Sequence, residues 1–328
     1  MSLTEDFFAN PLAFANRYSI APDHEIEGDK GVQAATIDMS DYNARKAIGP
    51  ANSDPELNSI IYSRMMRAHK VAHVELYADM RNPHTPTDAT GGNSNKNNEG
   101  TGVVRVRGKF SAFGDALPAY FLPWDDRGAI VRLTIPPKGK IKVDPNIFFT
   151  ATINGCSVFV QGDTKSPTIY HAGGSTGRKD HNDAARFWRH ALQNYIGNSE
   201  SANARGKLVS EVNKTQYIKT PGTQNNSTTP QAAEYERILH EKLEKTGSCE
   251  VTMVNPWGCI FGIRSGDSWT MYLQENATVI CNYLTKAQDG KVSRRTVPYA
   301  KPIGLSQIFP GGTSSIAKMH HMVPVTIK

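Results

Sequence analysis

The sequence has little of what the simplest protein classes depend on. Its four cysteines in 328 residues, Cys156, Cys249, Cys259 and Cys281, are irregularly spaced and form no CxxC pair. That excludes a disulfide scaffold and a zinc ribbon, and makes a reducing compartment the default reading. No apolar run approaches the roughly 20 residues of a membrane-spanning helix; the longest, such as 147–153, are strand-sized. The first residues, Met1-Ser2-Leu3-Thr4-Glu5-Asp6, carry acids where a secretory signal carries Lys or Arg, so any export is expected by another route. Charge of one sign is also scarce. With 37 Lys and Arg against 31 Asp and Glu, the net +6 is spread along the chain rather than gathered in one basic run. It favours acidic partners in general and does not argue for nucleic acid.

What is present is a folded chain with long polar loops. A 9% aromatic content is too high for a disordered protein, and a 38% hydrophobic share is low for one that is core throughout. Leu57, Ile61, Met65, Ala68, Ala72 and Leu76 recur every three or four residues, which predicts an amphipathic helix over the first part of 55–80. Residues 71–76 read equally well as a strand. The Gly/Asn-rich segment 91–102 (GGNSNKNNEGTG) is a linker or long loop. It divides an N-terminal region, 1–90, of unassigned role from a domain over 103–328. Within that domain, runs at 103–113, 119–122, 129–135, 147–153, 156–161, 168–172, 250–254, 260–264, 269–273 and 278–284 predict strands. Helices are predicted over 180–196, where Phe187, Trp188, Ala191, Leu192, Tyr195 and Ile196 form one stripe, and over 230–246. The expected fold class is α+β: a mainly antiparallel β-sandwich with flanking helices, preceded by a partly helical N-terminal region.

One segment, 146–174 (NIFFTATINGCSVFVQGDTKSPTIYHAGG), concentrates the chemistry. Asn154-Gly155 between two β-rich runs predicts a hairpin turn, since both residue types tolerate positive φ. Cys156 opens the next strand. A four-residue loop, Gly162-Asp163-Thr164-Lys165, pairs Gln161 with Ser166, and in that register Cys156 falls directly opposite His171 on the same face. A thiol with an ordinary pKa of roughly 8.5 is a poor nucleophile at neutral pH, and a neighbouring imidazolium lowers that value. Gly155 lets a carbonyl approach the backbone, and the N–H of Cys156 can face an oxyanion. Val158, Val160 and Ile169 share the same face, so these residues also fit a buried thiol beside a strand-end histidine.

Ile153-Asn154-Gly155-Cys156 followed by His171 resembles the Leu-Ser-Gly-Cys strand and downstream His of the cytotoxic necrotizing factor catalytic domain, which belongs with the chemoreceptor-type glutamine deamidases. Asn154 stands where that family more often carries Ser. The resemblance spans some 30 residues of 328. It implies a β-sandwich with flanking helices, Cys156 as nucleophile, His171 as its base, and Gly155 kept for the close approach.

The expected function is a cysteine-dependent protein glutamine deamidase, a hydrolase of the toxin or virulence-effector type. It would convert Gln of a partner protein to Glu through a thioester on Cys156 and use no metal or organic cofactor. The expected partner is a protein substrate, with a host GTPase or translation factor as the class, and the expected location is outside the cell or a host cytosol, otherwise the cytoplasm. The alternatives are a transglutaminase or cysteine protease with the same dyad, and a non-enzymatic β-sandwich module that binds proteins and leaves Cys156 inert. Asp163 and Gln161 are nominal candidates for orienting His171. Other motifs are weaker. Gly173-Gly174-Ser175-Thr176-Gly177 lacks the Lys-Ser/Thr ending of a phosphate loop and reads as a rim of the Cys-His site, with Arg178 and Lys179 beside it. His320-His321 has no ligating partner near it in sequence. Cys249 and Cys259, flanking Asn255-Pro256, could face each other across a hairpin but read as packing thiols.

Overall fold

The computed structural model describes residues 2–23, 36–37, 65–67, 71–79, 103–109, 116–124, 130–174, 184–197, 208–217, 249–286, 290, 292–311 and 314–318. The chain opens with two short helices, α1 (Leu3–Ala9) and α2 (Pro11–Arg17). Ser2 and Glu5 form a reciprocal capping box at the first, and Asn10 with Pro11 starts the second. The strands β1 (Ile20–Pro22), β2 (Thr36–Ile37), β3 (Met65–Arg67), β4 (Val71–Asp79), β5 (Val103–Lys109), β6 (Leu117–Leu122) and β7 (Ile130–Thr134) follow. Then come β8 (Ile147–Thr150), β9 (Ser157–Gln161), β10 (Thr168–Ala172), helix α3 (Ala184–Gly197), β11 (Leu208–Val212) and the short helix α4 (Lys214–Tyr217). Three long strands, β12 (Cys249–Ser265), β13 (Ser268–Lys286) and β14 (Val292–Phe309), and a last short one, β15 (Ser314–Lys318), complete the described chain.

The strands form two mixed sheets. The first runs β1-β5-β4-β6-β8-β12-β13-β14-β15 and the second β11-β9-β10-β7-β3-β2. Most neighbours are antiparallel, while β1/β5, β6/β8 and β3/β7 are parallel. One core joins the sheets: Tyr120, Leu122, Phe148, Ile260 and Met271 from the first meet Val131, Leu133, Val158, Val160 and Ile169 from the second. The outer face of the first sheet is covered by Phe7, Phe14 and Ala15 of α1 and α2. The outer face of the second is covered by Phe187, Trp188, Ala191 and Leu192 of α3, which pack on Ile130, Phe159, Tyr170 and Ala172. The described residues are thus mostly β, in two stacked sheets with few helices. Among the described residues no helix is long and apolar enough to cross a membrane.

Residues 65–67 are a strand and not part of the expected helix, and 71–79 take the strand alternative. Ala72, Val74 and Leu76 alternate inward with a period of two, and β4 pairs with both β5 and β6, so sheet pairing overrides the helical spacing. Strands β4 and β5, which lie before and after segment 91–102, are neighbours in one sheet. Cys249 and Cys259 lie along the same strand, β12, and do not face each other across a turn. The predicted helix 230–246, the segment 91–102, Arg178, Lys179 and the His320-His321 pair lie outside the described residues.

Candidate functional site

Asn154-Gly155 does not close a hairpin. Strand β8 already has β6 on one side and β12 on the other, so β9 has no free edge of β8 to join and starts the second sheet instead. The turn carries the chain from one layer to the other. Gly155 has φ 96°, in the region that favours glycine, and a Cβ there would meet nothing within 4 Å. Asn154 is exposed and Gly155 half-buried. Directly after them Cys156 turns inward, joining Val158 and Val160 in the core between the sheets.

His171 lies on the same interior face, but not opposite Cys156. Gln161 pairs with Thr168 and Val158 with His171, so the loop between β9 and β10 comprises six residues, 162–167. Local chemistry explains the longer loop. The Oδ1 of Asp163 accepts the N–H groups of Lys165 and Ser166 at 2.8 and 3.0 Å, and Pro167 has no N–H to give, so the ladder begins at Thr168. The shift is two residues, an even number, and the faces are preserved. Cys156 and His171 are diagonal neighbours, for which Cβ separations are on the order of 7 Å.

The surroundings of the two thiols that are free and buried, Cys156 and Cys259, differ sharply. Burial pushes the Cys156 thiol up to about 11, against the backbone N–H groups of Gly174 and Asn154 and the indole of Trp124, all of which favour the thiolate. Burial alone acts on Cys259, and it raises that thiol further. Gly174 reaches the sulfur because it has no side chain: a Cβ there would lie 3.0 Å from the Gly155 carbonyl oxygen. Its neighbour Gly173 is held from behind, its carbonyl accepting the Trp188 indole N–H at 3.0 Å.

A residue with no signal in the local sequence completes the site. The hydroxyl of Tyr217, on α4, accepts the Gly155 N–H at 2.8 Å and donates to the Cys156 carbonyl at 2.7 Å. Burial and then the neighbouring Cys156 charge hold this phenol well above its ordinary pKa, so it stays a neutral hydroxyl that can do both. Tyr217 and Trp124 come from distant parts of the chain, and only the turn at Asn213–Gln216 and the Pro123-Trp124 step mark those segments.

The two nominal orienters of His171 are engaged elsewhere. Asp163 spends Oδ1 on its own loop. Gln161 accepts from the Tyr170 hydroxyl at 2.5 Å. No group of three His, Cys, Asp or Glu side chains among the described residues is arranged to hold a metal ion.

No family model matches the chain, and no curated protein matches it. Among solved structures, the crystal structure of the C-terminal domain of CNFy from Yersinia pseudotuberculosis aligns with 80% of this chain and 99% of that one, at 10% identity and a TM-score of 0.26.

Proposed function

We propose that the chain is a cysteine-dependent amide hydrolase, a glutamine deamidase of the toxin or effector type acting on a partner protein. The observation that carries this reading is the set of donors around the Cys156 sulfur. Two backbone N–H groups and an indole favour its thiolate, and Cys259 has no counterpart of them. A packing thiol has no use for such donors, whereas a nucleophile must ionise to react.

In the proposed reaction the Cys156 sulfur attacks the carboxamide carbon of Gln and its proton passes to a ring nitrogen of His171, directly or through one water. The tetrahedral intermediate expels ammonia, which takes that proton. Water then attacks the thioester carbon, the C–S bond breaks, and Glu and the free thiol remain. The exposed residues Asn154 and Gly174 form the rim by which the side chain would enter.

The test is incubation with candidate partner proteins and peptide mass mapping. A Gln-to-Glu mass change on one residue is expected with the wild type and absent with Cys156→Ser. The inert-thiol reading of a protein-binding module is favoured by the net upward shift of the Cys156 thiol. It predicts no mass change with any partner that binds.

A further inference from the structure

We infer that Tyr217 is a positioning residue that fixes the Gly155-Cys156 turn, and through it the donors around the sulfur, by holding with one hydroxyl the N–H that enters the pair and the C=O that leaves it. This rests on the reading of Cys156 as the nucleophile.

The geometry is specific. Gly155 N–H and Cys156 C=O belong to successive residues and diverge around the turn. One fully buried phenol satisfies both, at 2.8 and 2.7 Å. The Gly155 carbonyl, in the peptide linking the two residues, has Gly174 packed so closely that a Cβ on Gly174 would stand 3.0 Å away. The turn is therefore gripped from two sides, by Tyr217 and by the backbone of Gly174. The donors on the sulfur come from Asn154, the residue before the gripped peptide, and from Gly174 itself. A shift of that peptide moves the sulfur relative to both. Tyr217 pays for this position with deep burial of a hydroxyl, which costs free energy unless both bonds are made. Tyr217 from α4 is the titratable group coupled to the sulfur, which is otherwise faced by the dipoles of Gly174, Asn154 and Trp124; His171 from β10 lies one pleat away on the same face.

The test is the rate of Cys156 alkylation by iodoacetamide as a function of pH in Tyr217→Phe, with Cys259 as an internal reporter of unfolding. A folded variant should show the Cys156 midpoint moved up by about one pH unit and alkylation about tenfold slower at pH 8. Cys259 should stay unlabelled. A purely structural hydroxyl would lower the thermal transition and leave the pH profile where it was, which would overturn the proposal. If Tyr217→Phe has no thermal transition, 4-aminophenylalanine at position 217 takes its place, since its para nitrogen still donates and accepts only weakly. A raised midpoint in that folded variant supports the proposal; an unchanged one, or a second failure to fold, rejects it. Failure of the nucleophile reading looks different: wild-type Cys156 would then be no more reactive than Cys259.

Discussion

Val158 stands directly opposite His171, with Val131 on its other side, so the imidazole is enclosed between valines of the two neighbouring strands. It is completely buried one residue from the end of β10, not at a rim. Cys156 lies one pleat away on the same face, beside the exposed residues Asn154 and Gly174. Both are buried, the thiol at 5% exposure nearer the surface than the imidazole at 0%, which decides how each can be tested.

Cys156 should be alkylated by iodoacetamide under native conditions far faster than Cys259. Both are buried, but only Cys156 has donors that favour its thiolate, and only it adjoins an exposed rim. Peptide mapping after timed quenching measures the two rates. Equal rates would remove the support for a nucleophile.

The two glycines at the turn should fail for different reasons. Gly155→Ala meets no neighbouring atom but keeps φ near 96°, so its cost of about 1–2 kcal/mol is one of backbone conformation, and Gly155→Asn should recover part of it. Gly174→Ala has no positive φ to lose. Its new methyl meets the Gly155 carbonyl oxygen at 3.0 Å and the carbonyl carbon at 3.2 Å, so either the turn or residue 174 must move. Urea denaturation should rank the first pair. For Gly174→Ala the sensitive measurement is Cys156 alkylation, expected to fall about tenfold. A wild-type rate would mean that Gly174 does not hold the sulfur's environment.

Much of this architecture was legible from periodicity alone. The stripe Phe187, Trp188, Ala191, Leu192 marks a helix that packs on a sheet, and the alternating runs after residue 103 mark strands. What local reading missed depends on long-range pairing. The turn at Asn154-Gly155 looks like a hairpin, and nothing near it reveals that β6 and β12 occupy both edges of β8. The loop after β9 looks like four residues until Asp163 is seen to take two N–H groups and Pro167 to offer none. For the site, the Cys156–His171 face survived because the register error was even. Tyr217 was not legible, since 61 residues separate it from the carbonyl it holds.

Asp144 offers a test of the sandwich itself at acid pH. Its carboxylate forms an ion pair at 2.6 Å with Arg264, whose side chain is 1% exposed, and accepts from the Tyr120 hydroxyl and the Gly139 N–H. Burial alone would raise its pKa, but these bonds outweigh it and leave the carboxyl below its ordinary value. A lowered carboxyl stabilises the fold above the unfolded value of about 4 and loses that contribution as pH falls through the folded value. Asp144→Asn should therefore destabilise by about 3 kcal/mol at pH 7, because it leaves the Arg264 charge buried without its partner. The variant's stability should also fall less steeply than the wild type's on acidification. Chemical denaturation at several pH values measures both, and parallel curves would show that Asp144 contributes nothing through its charge.

His171→Leu is the decisive substitution for the dyad. Alanine at this position would leave a cavity between Val131 and Val158 and cost about 2–4 kcal/mol, which confuses lost activity with lost folding. Leucine nearly conserves volume, so the variant should keep a cooperative thermal transition. Its thiol then ionises without an imidazole to take the proton. With burial already holding the wild-type thiol up at about 11, loss of the group that takes its proton should make alkylation of Cys156 at least about tenfold slower than wild type at pH 7. The two rates should converge as pH approaches the range in which the thiol ionises unaided. Deamidation should disappear throughout. Superimposed pH profiles in a stable His171→Leu protein would mean that the imidazole never shares the thiol's proton, and that this histidine is a packing residue of the second sheet.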